Sequence, residues 1–199
     1  MIESHMPEAC RAFIALVLPC TVTDYLEKVQ QCLAAQRIRG RWVRLTNMHL
    51  TLKFLGSLAP ENIHPVGDLL ASIAENTAPL ELTAQGLGGF PNRRRPRVLW
   101  VGIGGQSQAL TAIQKSVADG LVPMGWPHEK RVFKGHLTLA RARGRGFFGA
   151  DITRAMAHCE PQEPLDFKAR QLVLYRSTLR PEGAVYDKLG QWHLRGMMS

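Results

Sequence analysis

The chain has 199 residues, 45% of them hydrophobic, enough to bury a sizeable core as one large domain or two small ones. Lysine and arginine outnumber aspartate and glutamate 25 to 16, a formal charge of +9 that favours a polyanionic partner, nucleic acid first. The longest apolar run, around "FIALVLPC", stops at Pro19, short of the roughly 18 to 20 residues of a membrane span, and no basic segment feeds a long apolar one at the N-terminus, so a cytoplasmic protein without membrane contact is expected.

Residues 1–10 carry no periodicity and read as a flexible leader, leaving 11–196 as a single unit. From Arg11, "RAFIALVLP" reads as a buried strand, and "TVTDYLEKVQQCLAAQ" follows with helical spacing and Thr21 or Thr23 as its cap. In "MHLTLKFLG" the alternation predicts a strand with Met48, Leu50, Leu52 and Phe54 on one face and His49, Thr51 and Lys53 on the other. A helix opens at Pro60, with Ile63, Val66, Leu69, Leu70 and Ile73 as its apolar stripe. Two strand-like runs, 79–90 and 96–103, flank "PNRRRP", and "QALTAIQKSVADGLVPMG" is an amphipathic helix ending at Gly125. "FKGHLTLARA" is again a strand, with Lys134, His136 and Thr138 opposite Leu137 and Leu139. A helix in "ADITRAMAHC" and two closing strands, "LDFKARQLVLYRST" and "AVYDKLGQWHLR", joined by "LRPEG", complete the pattern. Cys10, Cys20, Cys32 and Cys159 show neither CxxC pairing nor a clustered framework, so reduced thiols are expected.

The tetrapeptide "HLTL" occurs at 49–52 and again at 136–139, each time on a predicted strand behind a helical and a basic segment. A single histidine of this kind is usually a satisfied structural residue. Two copies point to related lobes whose histidines face each other over a groove, beside the threonine hydroxyls. One neutral imidazole can accept a proton while a protonated partner donates one, and in-line displacement at phosphorus needs a base at one apex and an acid at the other. Neither copy has an acidic neighbour within several residues and no HxxxH or DxD pattern appears, so no metal and no cofactor are expected. None of the cysteines or nearby serines sits in a recognisable nucleophile turn.

Two HxT motifs about ninety residues apart resemble the 2H phosphoesterase superfamily, and in it the RNA 2′,3′-cyclic phosphodiesterase branch, also called the 2′-5′ RNA ligase family. "RAFIAL", "HLTLKFLG", "GGFPNRRRPRVLWVGI", "FKGHLTLAR" and "LVLYRSTLRPEGAVY" carry the likeness in the same order across nearly the whole chain. The resemblance implies an α+β fold of two pseudo-symmetric lobes, each an antiparallel sheet with outer helices, and an active groove between them. It implies catalytic histidines at His49 and His136, phosphate-binding threonines at Thr51 and Thr138, and a further phosphate contact at Arg141. It also implies metal-free opening of a 2′,3′-cyclic phosphate on RNA or a nucleotide to a 2′-phosphate, with His136 as base and His49 as acid. Ligation through a 2′-5′ linkage and noncatalytic capture of RNA ends are the competing readings, and the protein is expected to act as a monomer. Outside the motifs, Arg93, Arg94, Arg95 and Arg97 read as a solvated loop, and Arg141, Arg143 and Arg145 as a stretch that can line the groove. Phe147, Phe148, Tyr175 and Trp42 are candidates to stack on a base, with core packing the competing reading for each. His64, His128, His158 and His193 read as surface residues.

Overall fold

The computed structural model describes residues 8–144, 147–149, 151–181 and 183–196, so most of the expected leader, and Arg145, lie outside the described residues. The apolar and alternating runs become β1 (Cys10–Leu16), β2 (Arg41–Trp42), β3 (Leu50–Leu58), β4 (Leu80–Phe90), β5 (Val98–Gly105), β6 (His136–Arg141), β7 (Leu165–Ala169), β8 (Gln171–Arg180) and β9 (Gly183–His193). The helical stripes become α1 (Cys20–Ala35), α2 (Ile63–Glu75), α3 (Ser107–Leu121) and α4 (Ile152–His158).

All strand pairings are antiparallel, and the strands join in one sheet in the order β7-β4-β5-β6-β3-β1-β8-β9, with β2 paired to β6. The two lobes expected from the repeat are therefore two four-stranded halves of one curled sheet. Each half places its copy of the repeated tetrapeptide on the seam strand, β3 on one side and β6 on the other. Leu50 pairs with Leu137 across that seam, and both side chains are fully buried. Burying each contributes about 1.5 to 3 kcal/mol, so the seam is held from the core side while its other face stays open.

The closing segment "LDFKARQLVLYRST" is not one strand. It breaks at Arg170 into β7, at one edge of the sheet, and β8, next to the opposite edge. One residue cannot cross a flat sheet of this width, so the sheet curls until its ends approach, and the Arg170 carbonyl accepts a hydrogen bond from Leu194 N, just past β9, at 2.8 Å. β2 is a second addition to the sequence reading, too short to show a period.

Helix α1 begins after Pro19 rather than on a threonine cap; Thr23 lies inside the first turn and donates its hydroxyl to the Cys20 carbonyl at 2.7 Å. The chain after α3 stops where expected, through a short 3-10 turn to Gly125 at φ 96°, a left-handed position that glycine occupies without a Cβ clash. Reduced cysteines are corrected in part: Cys32 and Cys159 form a disulfide with Cα atoms 5.7 Å apart, joining the end of α1 to the end of α4. The pair is 127 residues apart in sequence, so no local spacing announces it. Among the described residues no helix is long and apolar enough to cross a membrane.

Candidate active site

Along β3 and β6 the tetrapeptides put His and Thr on the face away from the core. Stepping one residue either way from the Leu50–Leu137 pair sets His49 in register with Thr138 and Thr51 in register with His136. The two histidines are then diagonal neighbours, a relation that separates Cα atoms by roughly 7 to 8 Å across an antiparallel pair.

Both imidazoles are oriented by the same device. His49 Nδ1 donates to the Asn47 carbonyl at 2.8 Å, and His136 Nδ1 donates to the Lys134 carbonyl at 2.7 Å. A carbonyl only accepts, so each Nδ1 carries the hydrogen and each Nε2 is left for chemistry. Burial lowers the pKa of His49 from 6.5 to about 4; the Asn47 carbonyl opposes that shift, while the charges of Arg141 and His136 add to it. Burial also lowers His136, against the Lys134 carbonyl and with help from Arg141 and Lys134. Arg141 and each histidine thus act on one another within one electrostatic neighbourhood.

After the tetrapeptides the strict alternation fails, in the same way in both copies. The register against β1 slips between Thr51 and Lys53, and the register against β5 slips between Thr138 and Ala140, so Leu52 and Leu139 are bulged residues. A bulge flips the faces beyond it. Lys53, expected beside His49, is turned to the core and 4% exposed, with Nζ donating to the Pro127 carbonyl at 2.8 Å and lying 3.8 Å from Glu129. Phe54, expected in the core, is 59% exposed and lies 5.9 Å from Phe13, which itself stacks on His49. The second bulge turns Arg141 onto the face of His136 and Thr138. Its displaced carbonyl, Leu139 O, accepts from Val43 N at 2.9 Å and from Gln30 Nε2 of α1 at 2.8 Å, so the irregularity is fully bonded.

Aromatic rings wall each imidazole. His49 stacks on Phe13 at 4.6 Å and meets the Tyr186 ring edge-on at 5.4 Å, with Tyr175 at 6.1 Å. His136 meets Phe90 edge-on at 4.9 Å and Trp100 at 6.2 Å, and Lys134 lies over the Trp100 ring at 4.5 Å. On the His49 side a cavity of about 580 Å³ opens, lined among others by Phe54, Tyr186, Arg11, Arg41, Arg44 and Arg141. Among the described residues no group of three or more His, Cys, Asp or Glu side chains is placed to hold a metal ion.

The family model described as LigT like Phosphoesterase matches residues 17–100 and 101–186, each match containing one copy of the tetrapeptide. The chain belongs to this family. It is 32% identical to a protein of Aeropyrum pernix over 82% of this chain and 92% of that one, and 27% identical to a protein of Aquifex aeolicus over 94% and 98%; both are named RNA 2′,3′-cyclic phosphodiesterase. Among solved structures it is similar to a Thermus thermophilus protein at TM-score 0.76 and 28% identity, covering 94% of this chain and all of that one. Escherichia coli LigT in complex with 3′-AMP matches at TM-score 0.73 and 25% identity, over 94% and 99%. The chain is thus an enzyme of the LigT-like phosphoesterases, with the α+β fold of that family.

Within this LigT-like frame His49, Thr51, His136 and Thr138 share one face of the seam, and Arg141 lies on the same face. Of the aromatic candidates, Tyr175 stands beside His49 and Trp42 lines the neighbouring cavity, while Phe148 is core and Phe147, 43% exposed, is away from both imidazoles under Arg95 and Arg97. Arg93 is held by Glu160 at 2.7 Å, and His64, His128, His158 and His193 are exposed. Sequence reasoning missed Phe13, Phe90, Trp100 and Tyr186. The signal was present in "RAFIAL", where Phe13 alternates with Ala12 and Ile14, but a strand apolar on both faces hides which face meets the site.

Proposed function

We propose that this enzyme opens a 2′,3′-cyclic phosphate on RNA or a nucleotide to a 2′-phosphomonoester and free 3′ hydroxyl, without a metal. His136 Nε2 takes a proton from water as its oxygen attacks phosphorus. The bond from phosphorus to the 3′ oxygen breaks, and His49 Nε2 delivers a proton to that oxygen. Thr51, Thr138 and Arg141 bind the non-bridging oxygens, whose charge grows in the transition state. The two imidazoles then return to their starting protonation by exchange with solvent.

The observation that carries this reading is the matched pair of imidazoles, each with Nδ1 committed to a carbonyl and Nε2 turned to chemistry, on one face with two threonines and an arginine. The choice of His49 as acid draws on the cavity beside it. The sugar and its base stay attached to the departing 3′ oxygen, so they belong on the side of the acid, and the roomy, arginine-lined space adjoins His49. Its volume of about 580 Å³ suits a nucleotide, since ligand pockets run to about 300 to 1,000 Å³. The relatives named RNA 2′,3′-cyclic phosphodiesterase and the E. coli LigT complex with 3′-AMP support the substrate class.

The test is turnover of a nucleoside 2′,3′-cyclic phosphate in excess EDTA. Opening to the 2′-phosphate is expected, with His49→Ala and His136→Ala each losing about 100 to 10,000 fold in rate. Near-full activity in either variant rejects its role, and binding without turnover in the wild type favours a protein that only captures RNA ends.

A further inference from the structure

A second cavity, of about 620 Å³, lies between the end of α1 and the start of α4, away from both imidazoles. Arg37, Arg39 and Arg154 line it, together with Asp151, whose carboxylate is 3.5 Å from Arg154, and Phe147. Two more arginines stand over the Phe147 ring, Arg95 at 4.6 Å and Arg97 at 6.0 Å. Five guanidiniums against one carboxylate, around an exposed aromatic ring, is the composition of a surface that holds phosphates and stacks a base.

The segment between α1 and β3, "RIRGRWVR" at 37–44, joins this cavity to the one at His49. Arg37 and Arg39 line the distal cavity, and Arg41 and Arg44 line the proximal one. Buried Ile38 pins the segment to the core, and Gly40 lets it lie flat, because a Cβ there would meet the Phe148 ring at 2.6 Å and the Arg141 carbonyl at 3.2 Å. Four residues of chain, from Arg37 to Arg41, span at most about 14 Å, so the distal cavity starts within a few nucleotides of the proximal one.

Arg37 gives a second, independent indication. Its N–H closes α1 by donating to the Ala34 carbonyl at 2.9 Å, and its φ is 58°, the left-handed conformation that glycine or asparagine usually occupies at a helix end. Arg37 alone among the described non-glycine residues has a positive φ. A charged, exposed side chain held at a steric cost where glycine would serve the backbone better points to use of the guanidinium.

We propose that the arginines of 37–44 form a continuous phosphate track that leads the RNA chain on the 5′ side of the cyclic end from the catalytic groove into the distal cavity at Arg37, Arg39, Arg154 and Phe147. The preferred substrate is then a polynucleotide end rather than a mononucleotide. This inference rests on the cyclic phosphodiesterase reading above.

The experiment compares the full-length wild type with an Arg37→Ala, Arg39→Ala, Arg154→Ala variant on a nucleoside 2′,3′-cyclic phosphate and on cyclic-ended oligoribonucleotides of increasing length. Wild-type kcat/KM should climb over the first few added nucleotides. The variant should open the mononucleotide within about twofold of wild type, yet lose most of that climb. Its log–log dependence of kcat/KM on salt for the longer substrates should be shallower by about 2, from about 0.7 per lost phosphate contact on a single strand, a roughly 16-fold smaller loss for a fourfold rise in salt. An unchanged climb and salt slope, or an equal loss on the mononucleotide, overturns the track. If the wild type opens neither substrate, the phosphodiesterase reading is what has failed. Fluorescence anisotropy of a labelled oligoribonucleotide then still decides whether the variant binds RNA more weakly and with less salt dependence.

Discussion

An anion bound between the two imidazoles must change how they titrate, and by a calculable amount. In the free protein burial holds His49 near pKa 4, with Arg141 and His136 adding to the shift, and His136 is lowered in the same way. A cyclic phosphate carries one negative charge. At about 4 Å and an effective dielectric constant of about 20, its attraction for an imidazolium is about 4 kcal/mol. At about 1.4 kcal/mol per unit this raises the imidazole by up to about 3 units, to near neutrality. The sign follows from the charge, since an anion favours the protonated form. The pH profile of kcat/KM reports the free enzyme and that of kcat the complex, so both limbs of kcat/KM should lie to the acid side of the limbs of kcat. The His49 limb should move from near pH 4 toward neutrality. Steady-state opening of a nucleoside 2′,3′-cyclic phosphate across about pH 4 to 9 measures both profiles. Arg141→Met provides the internal check: removing a cation that lowers both histidines should raise both kcat/KM limbs. Limbs that coincide in kcat and kcat/KM would show that the anion does not sit between the imidazoles.

The same partly buried histidine makes stability depend on pH. The folded pKa lies below the unfolded one, so the unfolded chain takes up the proton first; the His49 contribution is intact above about pH 6.5 and is lost as pH falls to about 4, by up to about 3 kcal/mol. Urea denaturation at both ends of that window should show a flatter response in His49→Gln, and equal slopes would contradict it. Thr138→Val removes a hydroxyl proposed to bond a charged oxygen, worth about 1.5 to 3 kcal/mol, and should lower kcat by about 10 to 100 fold at unchanged thermal stability. Gln30→Leu strips one of the two donors from the bulge carbonyl of Leu139 and the bond to the Val43 carbonyl, both in the 2.8 to 2.9 Å range. A loss of about 1 to 3 kcal/mol is expected in chemical denaturation, together with weaker phosphate binding as Arg141 loses its fixed direction. Gly88→Ala would drive a methyl into the Trp100 ring behind His136. An overpacking cost of about 1 to 3 kcal/mol and a drop in kcat should appear together.

The candidate site was legible in the sequence because it repeats: two copies of "HLTL" name His49, Thr51, His136 and Thr138 without any knowledge of the fold. The helices were legible from their apolar stripes, and Val66 and Leu70 are indeed buried along α2. What period-2 reasoning could not see is the bulge, since an extra residue in a strand leaves no mark in composition and reverses every face beyond it. Lys53 and Phe54 were misplaced for that reason alone. The Cys32–Cys159 bridge and the separation of β7 from β8 were hidden for another reason. Both depend on how far the sheet curls, which is settled by long-range packing rather than by any local pattern.

The bulges also give two identical tetrapeptides different surroundings. Three residues beyond Thr51 the chain presents Phe54; three residues beyond Thr138 it presents Arg141. In each copy the residue after the motif leucine is turned to the core and the next one to the groove, so the shared geometry delivers an exposed ring to one half and a cation to the other. A site with two arginines there would bind phosphate symmetrically and leave the sugar's direction open. Phe54 and Arg141 both line the cavity beside His49, so an exposed ring suited to a nucleoside and a cation suited to a phosphate face the same space. Exchanging them in a Phe54→Arg, Arg141→Phe double variant keeps the net charge and both histidines. It should nonetheless cost more in kcat/KM than Phe54→Ala, because the cation that acts on both imidazoles is lost along with the exposed ring. Activity equal to wild type in the exchanged protein would mean that direction is set elsewhere.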